Sequence, residues 1–286
     1  MSEKRYLPAE VPLFICQGIM PPTVQDILNI LETIAPASLA EQWDNVGLMI
    51  GNPSDRVRSI LIGLDPTIPL LDEAVASGSN LLITHHPIIF HPLKSVRLEQ
   101  PGGKFINNAI CNSINVVSCH TNLDSANPGL NDLLAGKLGL IDTEPLDDEE
   151  IGGPNEGLGR IGNVKPCSPE DFIERLKNAC QPSWILEAGP RPDEISRIAV
   201  CGGSCSDLAE TAMAKGAQVF VTAEVKHSVA RWAEATGLWL LDAGHFATEN
   251  PAMGELAGQL KREMQNRGIG IEIKVTKNQN SPLKLI

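Results

Sequence analysis

Asn80-Leu81-Leu82-Ile83-Thr84-His85-His86-Pro87 is the stretch whose reading decides the fold. Its apolar run is continuous, with no polar alternation, and so fits a short strand buried on both faces. Such strands belong to parallel sheets with helices on either side. In those sheets, ligand sites gather outside the carboxyl ends of the strands. His85 and His86 stand at that end. On a regular strand, adjacent side chains point to opposite faces, so the two could not share one site there. Just past the strand the backbone turns, and Pro87 restrains His86 to an extended conformation. The two imidazoles can then splay toward two ions a few ångströms apart.

The same pattern recurs on both sides of this stretch. Residues 59–64, 115–119, 197–201, 218–222 and 238–241 read as strands. Helical spacing marks 24–34, 70–76, 105–112, 129–138, 168–180, 206–215 and 226–236, and the tail from about 254 reads as a helix with a polar, strand-like end. Short apolar strands alternating with helices predict an α/β fold: two α/β lobes with mainly parallel sheets covered by helices, and a metal site between strand ends. Residues 142–156 are acidic and loop-like, then reach Gly152-Gly153-Pro154, and mark the best internal boundary. The expected division is an N-terminal extension at 1–20, a metal-site lobe from 21–145 plus 215–286, and an inserted second α/β lobe at 146–214.

Composition narrows the function. The 286 residues are 42% hydrophobic and 20% charged, which suits a packed globular chain. The formal net charge of -12 disfavours binding to a nucleic-acid backbone. No apolar run is long enough to span a membrane, and the N-terminus lacks the apolar core of a secretory signal. Seven cysteines, an odd number with no CxxC pair, fit reduced thiols in the cytoplasm.

Two further strand ends carry metal-binding chemistry. His120-Thr121-Asn122-Leu123-Asp124 follows the strand at 115–119. Asp124 is a hard oxygen donor able to bridge two cations, and His120 suits a ligand, an outer hydrogen-bond partner or a proton carrier. Asp242-Ala243-Gly244-His245-Phe246-Ala247-Thr248-Glu249 follows the strand at 238–241. His245 and Glu249 are four apart and share one face of a helical turn, with a new helix starting at Pro251. His85, His86, Asp124, His245 and Glu249 then supply three nitrogens and two carboxylates. That set suits two divalent ions, with zinc, iron, manganese, cobalt and nickel all compatible. Two such cations would strongly acidify water between them.

From about Pro21 to Leu260 the chain resembles the Ngg-one-interacting-factor-three-like proteins, called GTP cyclohydrolase I type 2 homologues in bacteria. The segments that carry the resemblance are Trp43-Asp44-Asn45-Val46-Gly47-Leu48, Thr84-His85-His86-Pro87, His120-Thr121-Asn122-Leu123-Asp124, Gly157-Leu158-Gly159-Arg160-Ile161-Gly162, Thr222-Ala223-Glu224 and Gly244-His245-Phe246-Ala247-Thr248-Glu249. The resemblance implies a dinuclear site on the same five ligands, two α/β lobes and a ring-shaped homohexamer with its metals in an internal cavity. The family usually has glycine at the position of Ala223, so a backbone that needs glycine would be altered here. The chain also lacks a large insertion found between the lobes of some members. Residues 1–20 precede the usual start, which makes Met20 a candidate initiator.

The expected function is a metal-dependent hydrolase acting on a small-molecule substrate, GTP cyclohydrolase-like or phosphoester-directed. No GxxxxGK[ST] phosphate loop is present. His120 and Glu224 are the candidates for proton transfer. Arg160, Lys226 and His227 are candidate substrate contacts. The alternative is a non-catalytic metal-handling or scaffold protein, which keeps every ligand and needs no substrate pocket.

Overall fold

The computed structural model describes residues 20–147 and 152–286. The expected extension, apart from Met20, and the centre of the acidic loop lie outside the described residues. Eleven strands are described: β1 (Gly47–Ile50), β2 (Ser59–Gly63), β3 (Leu81–Thr84), β4 (Asn115–Ser118), β5 (Ile141–Asp147), β6 (Leu158–Cys167), β7 (Leu186–Ala188), β8 (Ile195–Val200), β9 (Val219–Thr222), β10 (Trp239–Asp242) and β11 (Glu272–Val275). The helices are α1 (Val24–Ile34), α2 (Ile68–Ser77), α3 (Pro101–Cys111), α4 (Thr121–Ser125), α5 (Leu130–Lys137), α6 (Pro169–Cys180), α7 (Ala209–Ala214), α8 (His227–Thr236), α9 (His245–Glu249) and α10 (Pro251–Asn266).

Two sheets form, each covered by helices. The first has the order β1-β4-β3-β2-β11, and its β4, β3, β2 and β11 run parallel. The second has the order β5-β6-β8-β9-β10-β7. Its β8-β9-β10 centre is parallel, while β5, β6 and β7 join antiparallel. The second sheet draws strands from residues 141 to 242. It thus takes in the 215–242 span that the sequence pattern grouped with the metal-site lobe. Apolar runs show that 219–222 and 239–242 are buried strands, but pairing with β8 is what assigns them to a sheet.

Side-chain pattern explains the layers. Ile60 and Ile62 of β2, with Leu81 and Ile83 of β3, enter one buried cluster with α1 and α10. Leu61 and Leu82, offset by one, enter another with α2 and α3. The strands are therefore apolar on both faces because helices cover both. Helix starts are locally specified. Thr23 accepts from the Asp26 backbone N–H at 3.1 Å while the Asp26 carboxylate accepts from the Thr23 N–H at 2.7 Å, closing a capping box.

Residues 142–147, expected as loop, form edge strand β5. Asp142 and Glu144 face solvent, and only Pro145 and Leu146 are buried. A charged edge strand resembles a loop in composition, and it is held by pairing with β6 and by Glu144 against Arg197 at 2.8 Å. Among the described residues, no helix is long and apolar enough to cross a membrane.

Candidate metal centre

The registers set the level of the strand ends. Gly63 pairs with Thr84 and Thr84 with Ser118, so Asp65, His85, His86 and His120 emerge together from one edge. Val200 pairs with Val221 and Thr222 with Asp242, which aligns Gly203, Glu224 and His245 on the second sheet. The two carboxyl edges face one another. His86 Nε2 on one lies 3.2 Å from His245 Nε2 on the other.

Glu249 sits at the centre. Its Oε2 is 2.9 Å from His245 Nε2 and 3.1 Å from His86 Nε2, and its Oε1 is 3.7 Å from His85 Nε2. Asp124, carried on the short turn α4, places Oδ1 3.6 Å from His85 Nε2. All five residues expected as ligands therefore meet. Two overlapping donor groups result, His85-His86-His120 and His86-His245-Glu249, each compact enough to hold a metal ion. His120, expected as ligand, outer partner or proton carrier, stands in the first.

The far side of each ring explains why the Nε2 atoms face inward. His85 Nδ1 donates to the Cys119 carbonyl at 2.8 Å, His86 Nδ1 to Asp65 at 2.7 Å, His120 Nδ1 to Asp44 at 2.8 Å and His245 Nδ1 to Glu224 at 2.8 Å. A carbonyl or carboxylate only accepts, so each Nδ1 carries a proton, and a ring in its neutral form, as a cation would require, keeps its lone pair on Nε2. Asp44 also accepts from the Thr121 N–H and hydroxyl. Burial opposes its ionisation, but the His120 and Thr121 hydrogen bonds outweigh this and hold Asp44 down at about 2.

The donor set fits a cation. With the rings neutral, His85 Nε2, Asp124 Oδ1 and Glu249 Oε2 are buried without a hydrogen-bond partner. Burial pushes Asp124 up to about 7, with His85 opposing and Glu249 adding to the rise. Burial also acts to raise Glu249, but the imidazoles of His245, His85 and His86 prevail and hold it well below its ordinary value. His86, which burial would lower, is raised to about 10 by Asp65 and Glu249, and His245 to about 9 by Glu249 and Glu224. Three imidazoles converge on two buried carboxylates, and divalent ions suit this nitrogen-and-oxygen set.

Several residues differ from their expected parts. Glu224 holds His245 Nδ1 from a left-handed backbone with φ of 52°. Ala223, where glycine was expected, is buried and not in that region, so its methyl is accommodated. Arg160 is buried and spends its guanidinium on Asp132 and the carbonyls of Ala126, Gly157 and Gly159, which leaves nothing for a substrate. Lys226 pairs with Asp207 at 2.5 Å. His227 opens α8.

Asp65, Asp44 and Gly203 are the residues that sequence pattern did not single out. Asp65 follows the 59–64 strand directly, so its position at a strand end was an available signal. Asp44 lay within the quoted Trp43–Leu48 segment, but nothing local links it to His120, 76 residues away. Gly203 has φ of 70°, and a Cβ there would stand 2.2 Å from Glu249 Oε1.

Comparison with known proteins agrees with this architecture. Residues 22–282 match the family Duf34/NIF3 (NGG1p interacting factor 3). A protein from Clostridium acetobutylicum named "GTP cyclohydrolase 1 type 2 homolog" is 33% identical over 91% of this chain and 98% of its own length. A relative of the same name from Streptomyces coelicolor is 34% identical over 91% and 93%. Among solved structures, a Bacillus cereus protein related to NIF3 superposes with a TM-score of 0.86 at 25% identity, covering 93% of this chain and 99% of that one. With the family match spanning nearly the whole described fold, this chain belongs to the Duf34/NIF3 family.

Proposed function

We propose that the chain holds two divalent cations between its sheet edges and is a metal-dependent hydrolase of a small molecule. The observation that carries this reading is the three buried, unpartnered donor atoms amid four rings whose Nε2 atoms all turn inward. The ligands are His85, His86, Asp124, His245 and Glu249, with His86 common to the two donor groups and Glu249 reaching His85 through one oxygen and His86 and His245 through the other. Bound cations would polarise the substrate and lower the pKa of water. His120, braced by Asp44, is the proton-handling group beside His85 and His86. Glu224 sets the tautomer of His245.

The relatives' names make GTP ring opening one reaction to test, alongside phosphoester hydrolysis. A cytoplasmic homohexamer is part of the same proposal. Protein reconstituted with zinc, iron, manganese, cobalt or nickel is expected to hold two ions per chain by elemental analysis, and Asp124→Ala fewer. Turnover of GTP or a phosphoester panel should exceed that of the His86→Ala/Asp124→Ala variant. One ion or none refutes the dinuclear site. Two ions without turnover would leave the metal-handling alternative, which predicts rapid release to an acceptor. Mass photometry tests for six chains.

A further inference from the structure

A cavity of about 940 Å³ opens onto the cluster from the His86 and His245 side. Its acids are already committed, since Asp65 and Glu224 are bonded to the Nδ1 atoms of those two histidines. Its remaining charges are positive. Lys137, at the end of α5, and Lys284, from the segment after β11, both line it, and neither pairs with a carboxylate among the described residues. Local positive charge in a chain of net -12 selects for anions, and the low-dielectric walls of a cleft strengthen that preference.

Another wall offers a ring. The half-buried indole of Trp184 lines the same cavity and lies against Gly244, where an added Cβ would sit 3.7 Å from Trp184 Cζ2. Gly244 immediately precedes His245, so this aromatic edge adjoins the donor cluster. The wall formed by the chain end is anchored as well. Gln279 Oε1 accepts from the backbone N–H of Leu64 at 2.7 Å, and Gln279 Nε2 donates to the Asp65 carbonyl at 2.6 Å. This amide fastens the segment bearing Lys284 to the strand end that carries Asp65 and, through it, orients His86.

We infer that this cavity is the substrate pocket and that it takes a small anion bearing a flat ring, with the ring on Trp184 and the phosphate or carboxylate between Lys137 and Lys284. The inference rests on the metal-site reading above, because the cavity is placed to present its ligand to His86 and His245. Three walls from distant parts of the chain supply complementary chemistry, which is how small-molecule pockets achieve orientation.

Calorimetric titration of the metal-loaded chain with phenylphosphonate, benzoate, inorganic phosphate and benzyl alcohol tests it. Phenylphosphonate or benzoate should bind more tightly than either the bare anion or the neutral ring, and which of the two wins identifies the anionic group. Lys137→Gln/Lys284→Gln should weaken that binding by about tenfold or more, the scale of one lost charge-assisted hydrogen bond. Trp184→Ala should abolish the preference for the aryl anion over phosphate. Metal content and unfolding midpoint are measured on every variant, and Lys284→Glu serves as a second charge test. Equal affinity in wild type and both lysine variants at equal metal content overturns the inference and leaves the metal site standing. Lysine-dependent aryl-anion binding by a chain that holds no metal would refute the metal reading and retain the pocket.

Discussion

Each histidine of the cluster is oriented by a bond at Nδ1, and those bonds come from residues that need never touch a metal. Asp65 and Glu224 act on His86 and His245 in this way. Removing either frees a ring to rotate or to move its proton to Nε2. Asp65→Ala and Glu224→Ala are each expected to weaken metal affinity by about 10–100-fold with little change in fold, as measured by competition with a chromogenic chelator. A merely structural role would instead leave the metal affinity of the folded protein unchanged. At this scale the converging residues were legible as His-His, His-x-x-x-Asp and His-x-x-x-Glu groups at strand ends. Their supports were not, because His86 and Asp65 are 21 residues apart and meet only when β2 pairs with β3.

Between elements, one buried guanidinium carries much of the geometry. Arg160 of β6 bonds Asp132 of α5 through two nitrogens and also the Ala126 carbonyl just after α4, the turn that presents Asp124. Substitution would remove the Arg160 bonds to Asp132, which keeps only the Gly129 N–H, and to the carbonyls of Ala126, Gly157 and Gly159. Arg160→Ala is expected to destabilise the chain by about 3–5 kcal/mol in urea denaturation, the range for breaking a buried ion pair. Arg160→Lys should recover only part, since an ammonium cannot reproduce the planar fork. The strands and most helices were legible from period and apolar runs. β5 was not, because a charged edge strand has the composition of a loop. The helical turn α4 was also missed, since five residues carry too little periodicity to register.

At the scale of the whole molecule, the cluster binds its own charge to that of the solvent. In the metal-free chain, Asp65, Glu249 and Glu224 raise His86 and His245 from 6.5 to about 10 and about 9. Groups raised on folding add stability that is complete below their unfolded value and disappears as pH rises through the folded value. Chelator-treated protein should therefore lose stability between about pH 6.5 and 10. Bound cations need the same imidazoles deprotonated, so the stabilisation gained on adding metal should grow with pH. Thermal unfolding at pH 6, 7.5 and 9, with and without metal, checks both slopes. A metal-free midpoint that rises across this range would contradict the arrangement.

Pattern in the chain was sufficient for the α/β class, for most elements and for the five residues that converge, because local periodicity and strand-end position are written in neighbouring residues. It was insufficient for the division between sheets, the roles of Asp44, Asp65 and Gly203, and the cavity walled by Lys137, Trp184 and Lys284. Those depend on strand pairing and on contacts between residues tens to hundreds apart. Apolar runs say that a strand is buried but not beside which neighbour, so only packing the two sheets edge to edge makes one site from three strand ends.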